Sequence, residues 1–474
     1  MNKLIPAPGF MFAELLSLDT IPLEYDLTGS QRKNVSPLNL FQNPSKNYPT
    51  EEFCKRLSSL AKPHILPDLM KNHAVSTPSA DAGIGMYGAM IWLAIYGLLL
   101  PATTLAAQTI TESEDPGGRN LTLSDEPLVR IGVLEGPIEY MFGEITGAIR
   151  LEDGSVVVAD EQAYEVRMFD SSGRHVWTTG QQGEVQGEYG GLRLLRGCPG
   201  AAVTVFDWHL DRITELDAEG NLFDTRRLSE GAMGPYGDPM CAPDASLVFT
   251  PWPETDYTSL KMDEIFRWSM SLSRTQGDSV VVLRSGIPGT ERFFYGGGSG
   301  PREWGKDMVF AVTGTGVWYG SGDDYELAHV DWSGRVTRIA RWAGPDREVT
   351  TEHLDRYLDA YLARYDTPAE RQHFESERWP DIRNDLPERF PAFESDGLMA
   401  LPDGSLWVTT FGWRSPDQEL HLLHPSGAWV ARLIVPARST LLDAGPDWVL
   451  LRERGEFGEH SVAVYELVEA GDAG

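Results

Sequence analysis

The sequence predicts an all-β fold, a six-bladed β-propeller of four-stranded antiparallel blades with a small helical insertion. Three observations lead to this prediction. From residue 143 onward, short β-rich runs alternate with turn signals. A pattern of four strands recurs with a period of about 45 residues, which is typical of a propeller blade. An apolar run precedes the repeats and predicts an N-terminal hydrophobic signal or anchor helix.

The repeat is clearest between residues 147 and 180. Gly147–Asp160 contains two β-rich runs around an Asp-Gly turn, Tyr164–Gly173 contains a third, and Arg174–Gly180 contains a fourth. Asp and Gly stand where a hairpin needs a side-chain cap and a positive φ. The segment therefore predicts one complete blade.

Six such units occur along the chain, and the last has only three good strands. Residues 127–134, Pro-Leu-Val-Arg-Ile-Gly-Val-Leu, supply a spare strand before the first unit. This strand is expected to pair into the last unit and close the ring, which removes an aggregation-prone edge. The units begin near Glu144, Gly190, Met240, Asp307, Asp396 and Arg438.

These residues resemble a known family. The run from Gly143 to Asp160, which ends in Leu-Glu-Asp-Gly-Ser-Val-Val-Val-Ala-Asp, is followed by Phe169–Gly173 and then by Gly180–Tyr189. Together they resemble the TolB-like six-bladed propellers, and most of all the NHL-like exported members from environmental bacteria. The resemblance covers residues 125–470 and implies the fold. It says little about function, because the relatives range from binding scaffolds to hydrolases.

The charge is distributed unevenly. The chain has 40 basic and 70 acidic residues and a formal net charge of -30, which argues against nucleic acid or anionic lipid as a partner. Residues 1–107 contain 8 basic and 8 acidic residues, so the whole excess of negative charge follows Ala107. The two compositions indicate two pieces of different origin.

The join between these pieces is apolar. No charged residue occurs between Asp81 and Glu112, and a dense apolar core at 86–100 is followed by Pro101 and small residues. This plan predicts a secretory signal peptide that starts near Met70, or else an uncleaved membrane anchor. The protein is therefore expected to be exported, periplasmic or extracellular, and to touch a membrane only through residues 86–107 if they are retained.

The boundaries follow from these patterns. The predicted parts are an upstream tract at 1–69, disordered or an over-extended start; a signal peptide or anchor at 70–107; a linker at 108–126; and the propeller at 127–470, with its helical insertion at 346–395.

That insertion has a helical period. Leu354, Tyr357, Leu358, Tyr361 and Leu362 form an apolar stripe, and Thr367-Pro368 opens a second helix that Pro380 is expected to end. Two interpretations remain open: a lid over the channel mouth, or a structural clip on the rim.

Long loops on one side of the ring carry aromatic residues. Loops joining neighbouring blades at 180–190, 286–304 and 346–395 lie on the side where propellers usually bind ligands. No Gly-x-Ser-x-Gly or His-Glu-x-x-His motif occurs, and no catalytic residue is identified. The sequence predicts a non-catalytic module that binds a protein, peptide or glycan. The candidate binding residues are Tyr189, Phe293, Phe294, Tyr295, Trp304 and Trp379.

The alternative is a calcium-dependent hydrolase or lactonase of the gluconolactonase or arylesterase type. Those enzymes resemble one another in holding a central calcium with Asn, Asp and Glu, whereas this propeller has only Asn221 and Asn384. No cofactor is therefore expected, although a calcium site made of carboxylates alone stays open. Asp160 and Asp207 end equivalent strands and are candidates either for cation ligands or for caps of the next turn.

Two cysteines lie in the propeller. Cys198 and Cys241 each precede the first turn of neighbouring units. In an exported protein they are expected to form either a disulfide or two buried thiols.

Overall fold

The structure, a computed structural model, describes most of the chain after residue 107. Within that part, no helix is long and apolar enough to cross a bilayer. The predicted upstream tract at 1–69 and the signal or anchor segment at 70–107 lie outside the described residues. The described residues are 108–228, 235–277, 279–296 and 298–470.

Three short strands open the described chain and do not pair with one another. Each joins a sheet that later residues form. They are β1 (Thr109–Ser113), β2 (Asn120–Leu123) and β3 (Val129–Ile131), and a 3-10 turn at Ile138–Tyr140 follows.

Two antiparallel meanders of four strands come next, and each strand pairs with its neighbour in sequence. The second strand of each is buried along its whole length, which explains the continuous apolar runs there. The first meander contains β4 (Ile145–Arg150), β5 (Val156–Asp160), β6 (Glu165–Phe169) and β7 (His175–Thr179), and the second contains β8 (Arg193–Leu195), β9 (Val203–Asp207), β10 (Arg212–Leu216) and β11 (Leu222–Arg227).

The third meander has an unusually long hairpin. Its strands are β12 (Met240–Cys241), β13 (Leu247–Phe249), β14 (Ile265–Gln276), β15 (Ser279–Phe294) and β16 (Ser299–Pro301), and a 3-10 turn lies at Tyr257–Ser259. The prediction that 286–304 is a loop was therefore wrong for 286–294, which are strand. The apolar and β-branched residues before them continue the ladder with β14, although bulges interrupt its register.

Three more meanders complete the described chain. The fourth contains β17 (Val309–Thr313), β18 (Gly316–Gly320), β19 (Glu326–Asp331) and β20 (Val336–Trp342). The fifth contains β21 (Phe393–Ala400), β22 (Leu406–Thr410), β23 (Asp417–Leu423) and β24 (Trp429–Pro436). The sixth contains β25 (Ser439–Ala444), β26 (Trp448–Arg454) and β27 (His460–Glu469).

The N-terminal strands complete the outer edges of these last three meanders. β3 pairs antiparallel with β27, as the sequence predicts for a closing strand. The predicted linker at 108–126 contains β1, which pairs parallel with β20, and β2, which pairs with both β24 and β27. The linker prediction was therefore wrong. The reason is that an outer strand leaves backbone N–H and C=O groups unpaired, and this segment satisfies them.

The first strands of the meanders contact one another around a centre. β4 contacts β8, β12 contacts β17, β17 contacts β21, and β25 contacts β4, so the last meander returns to the first. The Asp443 carboxylate accepts a hydrogen bond from the Arg150 N–H at 2.8 Å and pairs with Arg196 at 2.5 Å. The fold is therefore a β-propeller.

The helical insertion lies between β20 and β21. It contains α1 (Thr351–Leu362), α2 (Pro368–His373), a π-helical turn at Phe374–Arg378, and α3 (Trp379–Asp385). Thr350 and Thr367 cap α1 and α2 through capping boxes. The expectation that Pro380 ends a helix was wrong. Pro380 lies in the first turn of α3, where its missing N–H costs nothing.

Of the two alternatives for the cysteines, the structure has the disulfide. Cys198 and Cys241 are bonded with their Cα atoms 5.0 Å apart. The bond joins the second meander to the third. Because the two residues are 43 positions apart, it also restricts a long loop of the unfolded chain.

The closing strand gives a prediction for stability. Ile131 is 1% exposed and packs between the first and sixth meanders. Ile131→Ala is expected to lower the free energy of unfolding by about 2–5 kcal/mol, and deletion of 127–134 to cause aggregation. Urea denaturation measures the first effect. Ile138→Ala, at a side chain 73% exposed, is the control and should change little. Equal stability of Ile131→Ala and this control would contradict the closing role.

Candidate functional site at the channel mouth

Two of the predicted binding residues are core residues. Tyr189 is 1% exposed, lies against Gly180 and packs with apolar residues of the first two meanders. This burial raises its pKa to about 12. Trp304 is 5% exposed. The prediction that these two side chains meet a ligand was therefore wrong, because the rings fill interior space that aromatic residues occupy well.

Trp304 is the centre of an aromatic cluster that holds the helical insertion. Its ring centroid lies 4.9 Å from those of Tyr357, Phe390 and Trp413. Trp379 is half-buried and stacks on Tyr357 at 6.0 Å. These contacts join the insertion to the loop after β16 and to the loop after β22. They support the clip interpretation rather than the lid.

The other three predicted aromatics lie at the end of β15. Phe294 is buried and stacks on Tyr257, with centroids 5.9 Å apart. Phe293 and Tyr295 are half-buried, and their centroids are also 5.9 Å apart. These rings therefore pack on one another and on Tyr257 of the same meander, because they stand at the end of a strand and not in a free loop.

Asp160 and Asp207 act as caps. The Asp160 carboxylate accepts hydrogen bonds from the N–H groups of Gly143 at 3.1 Å and Glu144 at 3.0 Å. Asp207 accepts from Gly190 at 3.0 Å, and the Arg212 guanidinium lies 3.4 Å away. Their proposed role as cation ligands is not supported, since their oxygens are already occupied by donors. Among the described residues, no group of three or more His, Cys, Asp or Glu side chains could hold a metal ion.

A different group of carboxylates converges at the channel mouth, the end of the ring where the first strands begin. Asp238 precedes β12, Asp307 precedes β17, and Glu394 and Asp396 lie in the first half of β21. Desolvation is the main cause that raises the pKa values of the other three, and the negative charge of Asp396 adds to it. The four side chains come from three meanders and are close enough to repel one another.

Arg193 is the cation nearest to this group. Its guanidinium donates to the Glu161 carboxylate at 2.7 Å and lies 3.7 Å from the Asp238 carboxylate. Glu161 also accepts a hydrogen bond from the Trp208 indole N–H at 2.7 Å. The second and third meanders are therefore linked at the mouth by one arginine. Trp208 is held in place while its ring stays 49% exposed.

A second exposed tryptophan stands on the third meander. Trp252 is 48% exposed, and its centroid lies 5.0 Å from that of Tyr236 and 5.9 Å from that of Trp268. The Tyr236 hydroxyl reaches Thr290 at 3.2 Å, and Thr290 donates to Asp307 at 2.7 Å. The aromatic side of the mouth is thus connected to its acidic side by hydrogen bonds.

The surrounding protein weakens the acidity of these carboxyl groups. Desolvation by the surrounding protein raises the pKa of Asp238 to about 6, although 50% of its side-chain surface is exposed; Arg193 opposes this shift, and the charges of Asp396 and Glu161 add to it. Desolvation also raises the pKa values of Asp307, Glu394 and Asp396, although the Asp396 side chain is exposed. No hydrogen bond or ion pair from a described residue reaches the Asp396 carboxylate. When Asp396 is ionised, its negative charge is therefore opposed, among the described residues, only from a distance, by Arg193.

This group could have been found by aligning the units. Two of the predicted units begin at Asp307 and Asp396, and Asp238 stands two residues before a third at Met240. The predicted site residues lie instead in aromatic loops and at the ends of the second strands. The starts of the first strands were the missed signal.

The comparisons with known proteins give no family. No family model matches the chain, and no curated protein matches it. A member of the DUF4221 family from Bacteroides vulgatus is 9% identical over 74% of this chain and 99% of its own, with a TM-score of 0.44. A Bacteroides fragilis protein described as exported is 13% identical over 76% and 100%, with a TM-score of 0.42. The calcium-binding protein regucalcin from Agrobacterium tumefaciens is 11% identical over 77% and 98%, with a TM-score of 0.34. At these TM-scores and sequence identities, the similarities do not indicate a function for this chain.

The aromatic cluster gives one prediction. Trp304→Ala is expected to lower the free energy of unfolding by about 3–5 kcal/mol, because it leaves a cavity between the insertion and the rim. Urea denaturation measures the change. Phe223→Ala, at a ring 60% exposed, is the matched control. A Trp304→Ala protein as stable as this control would show that the insertion is not a clip.

Asp238 gives a second prediction, on the pH dependence of stability. Its folded-state pKa of about 6 lies above its ordinary value of 3.8, so ionisation destabilises the fold progressively between these pH values. Asp238→Asn should therefore raise the melting temperature at pH 7 and leave it unchanged below pH 3.8. Thermal unfolding at both pH values measures this. The control is Asp355→Asn, at an exposed carboxyl on α1. A destabilised Asp238→Asn protein at pH 7 would contradict the prediction.

Proposed function

We propose that this protein is an exported six-bladed β-propeller of the TolB-like or NHL-like kind that binds a peptide at its channel mouth without catalysing a reaction. The six meanders are then the six blades, and β3 is the outer strand of the last. Proteins and glycans are the other ligand classes that the sequence predicts. The described side chains favour a peptide that carries Lys or Arg.

The observation that carries this proposal is the composition of the mouth. Two exposed carboxylates, Asp396 without an ion-pair partner among the described residues and Asp238 paired with Arg193, lie at an opening that also bears the exposed rings of Trp208 and Trp252. A carboxylate attracts an ammonium or guanidinium group, and the face of an indole ring does the same through its quadrupole. A positively charged side chain satisfies both kinds of group.

The disulfide and the apolar run support export. Disulfides form and persist in oxidising compartments such as the periplasm and the extracellular space. Cys198 and Cys241 form one, and the run at 86–100 has the plan of a signal peptide or an anchor.

The calcium-dependent hydrolase remains the alternative, since the same carboxylates could attract Ca²⁺. Calcium needs six to eight oxygen ligands at 2.3–2.6 Å. Within the described chain no three acidic side chains are grouped closely enough to begin such a site. The peptide proposal therefore requires less rearrangement of the mouth.

The test is calorimetric titration of the full chain with short peptides that contain Lys or Arg, against the same peptides with Gln in those positions. The charged peptides are expected to bind at least about tenfold more tightly, as one charge-assisted hydrogen bond provides. Affinity should rise between pH 5 and pH 7, because Asp238 loses its proton near pH 6. Asp396→Asn should remove most of the preference for charged over Gln-containing peptides, and the control Asp355→Asn should keep this preference.

Two outcomes would contradict the proposal. Equal binding of charged and Gln peptides would show that the mouth does not select a cation. Saturable binding of Ca²⁺ alone, lost in Asp396→Asn and accompanied by lactone hydrolysis, would favour the enzyme.

A further inference from the structure

A second cleft opens beside the strand that closes the ring. Its volume is about 470 Å³, within the range of about 300–1,000 Å³ that small-molecule sites occupy. The three residues after β3, the connection between β24 and β25, and the turn between β26 and β27 form its walls. None of the carboxylates at the channel mouth lines it.

One wall of this cleft is apolar and exposed. Val133 is 41% exposed and Leu134 is 46% exposed, although both are aliphatic. Phe457, which is 78% exposed, lies outside this lining, in the turn that contributes Gly455 and Glu459 to the cleft. Two neighbouring aliphatic side chains exposed to water in a concave site indicate a surface that an apolar group can cover.

The cleft also has more positive than negative charge. Arg130, Arg438 and Arg454 line it, against Glu453 and Glu459. This local surplus stands out on a chain whose net charge is -30.

Most of these charges are already engaged. Arg130 bonds to Glu453 and Tyr465, Arg454 donates to His460 at 3.0 Å, and Glu459 accepts from the Phe457 N–H at 3.0 Å. The exposed Arg438 guanidinium has no hydrogen-bond or ion-pair partner among the described residues. Arg438 is therefore the group that a ligand's anionic end would meet.

We propose that this cleft binds a monocarboxylic acid with an apolar chain. The carboxylate pairs with Arg438, whose planar guanidinium can donate two parallel hydrogen bonds to it. The chain covers Val133 and Leu134 and removes their surface from water. The site is independent of the peptide proposed for the channel mouth, because the two share no residue.

A ligand in this cleft would touch three segments that meet where the ring closes. Binding to the folded state alone stabilises it by mass action, so the melting temperature should rise with ligand concentration. The melting temperature therefore reports occupancy of the cleft independently of the heat of binding.

The experiment titrates the full chain with dodecanoate and follows both calorimetry and thermal unfolding. Two comparison compounds are titrated in the same way: dodecanol, which lacks the carboxylate charge, and butanoate, which lacks the long apolar chain. Dodecanoate is expected to bind saturably and to raise the melting temperature, and each comparison compound to bind at least about tenfold more weakly. Arg438→Ala should weaken the binding of dodecanoate by a similar factor, and Arg438→Lys should weaken it by less. Leu134→Ser should weaken the binding of dodecanoate without changing how the affinity depends on salt concentration.

Arg227→Ala is the matched control, since this exposed arginine on β11 has no side-chain partner among the described residues. It should bind dodecanoate like the unaltered protein. Both variants keep the apolar run at 86–100 unchanged. A difference between Arg438→Ala and Arg227→Ala therefore reports binding in the cleft and not association of dodecanoate with that run. Absence of saturable binding, or equal binding by Arg438→Ala and Arg227→Ala, would overturn the proposal.

Discussion

Closure of the ring is the constraint on which the rest of this structure depends. The second strands β5 and β9 are buried along their whole length, so a meander cannot stand alone in water. Each must have a neighbour on both sides, and only a closed circle provides this for all of them. The pairing of β3 with β27 and the contacts of Asp443 with Arg150 and Arg196 are where the two ends of the circle meet.

Closure also creates the channel mouth. The first strands begin at one end of the ring, so residues far apart in sequence, such as Asp238 and Asp396, come within range of each other's charge. The protein tolerates this repulsion because Arg193 lies among the carboxylates and because raised pKa values let them keep protons. Elsewhere the loops contribute support, since the buried Trp304 cluster anchors the insertion to the rim.

The N-terminal segment shows a second use of strand pairing. β1 and β2 add parallel strands to the outer edges of the fourth and fifth meanders before β3 enters the sixth. Outer strands are the part of a propeller where backbone groups face solvent, and covering them removes templates for aggregation. The same segment ends beside the cleft that Arg438 lines, so the closing strand also helps to form a concave surface.

The sequence by itself determined the repeat, the closing strand and the helical period of the insertion, because strand alternation, turn residues and helix caps act over a few neighbouring positions. It also identified Cys198 and Cys241 as a pair of neighbouring-unit cysteines, but it did not decide between two thiols and a disulfide. Only the tertiary structure decided that they bond, that Tyr189 and Trp304 are buried, and that Asp160 and Asp207 cap turns. The physical reason is that burial, pairing and electrostatic fields depend on residues brought together across the ring, and the local pattern around an aromatic or acidic residue is the same in either environment.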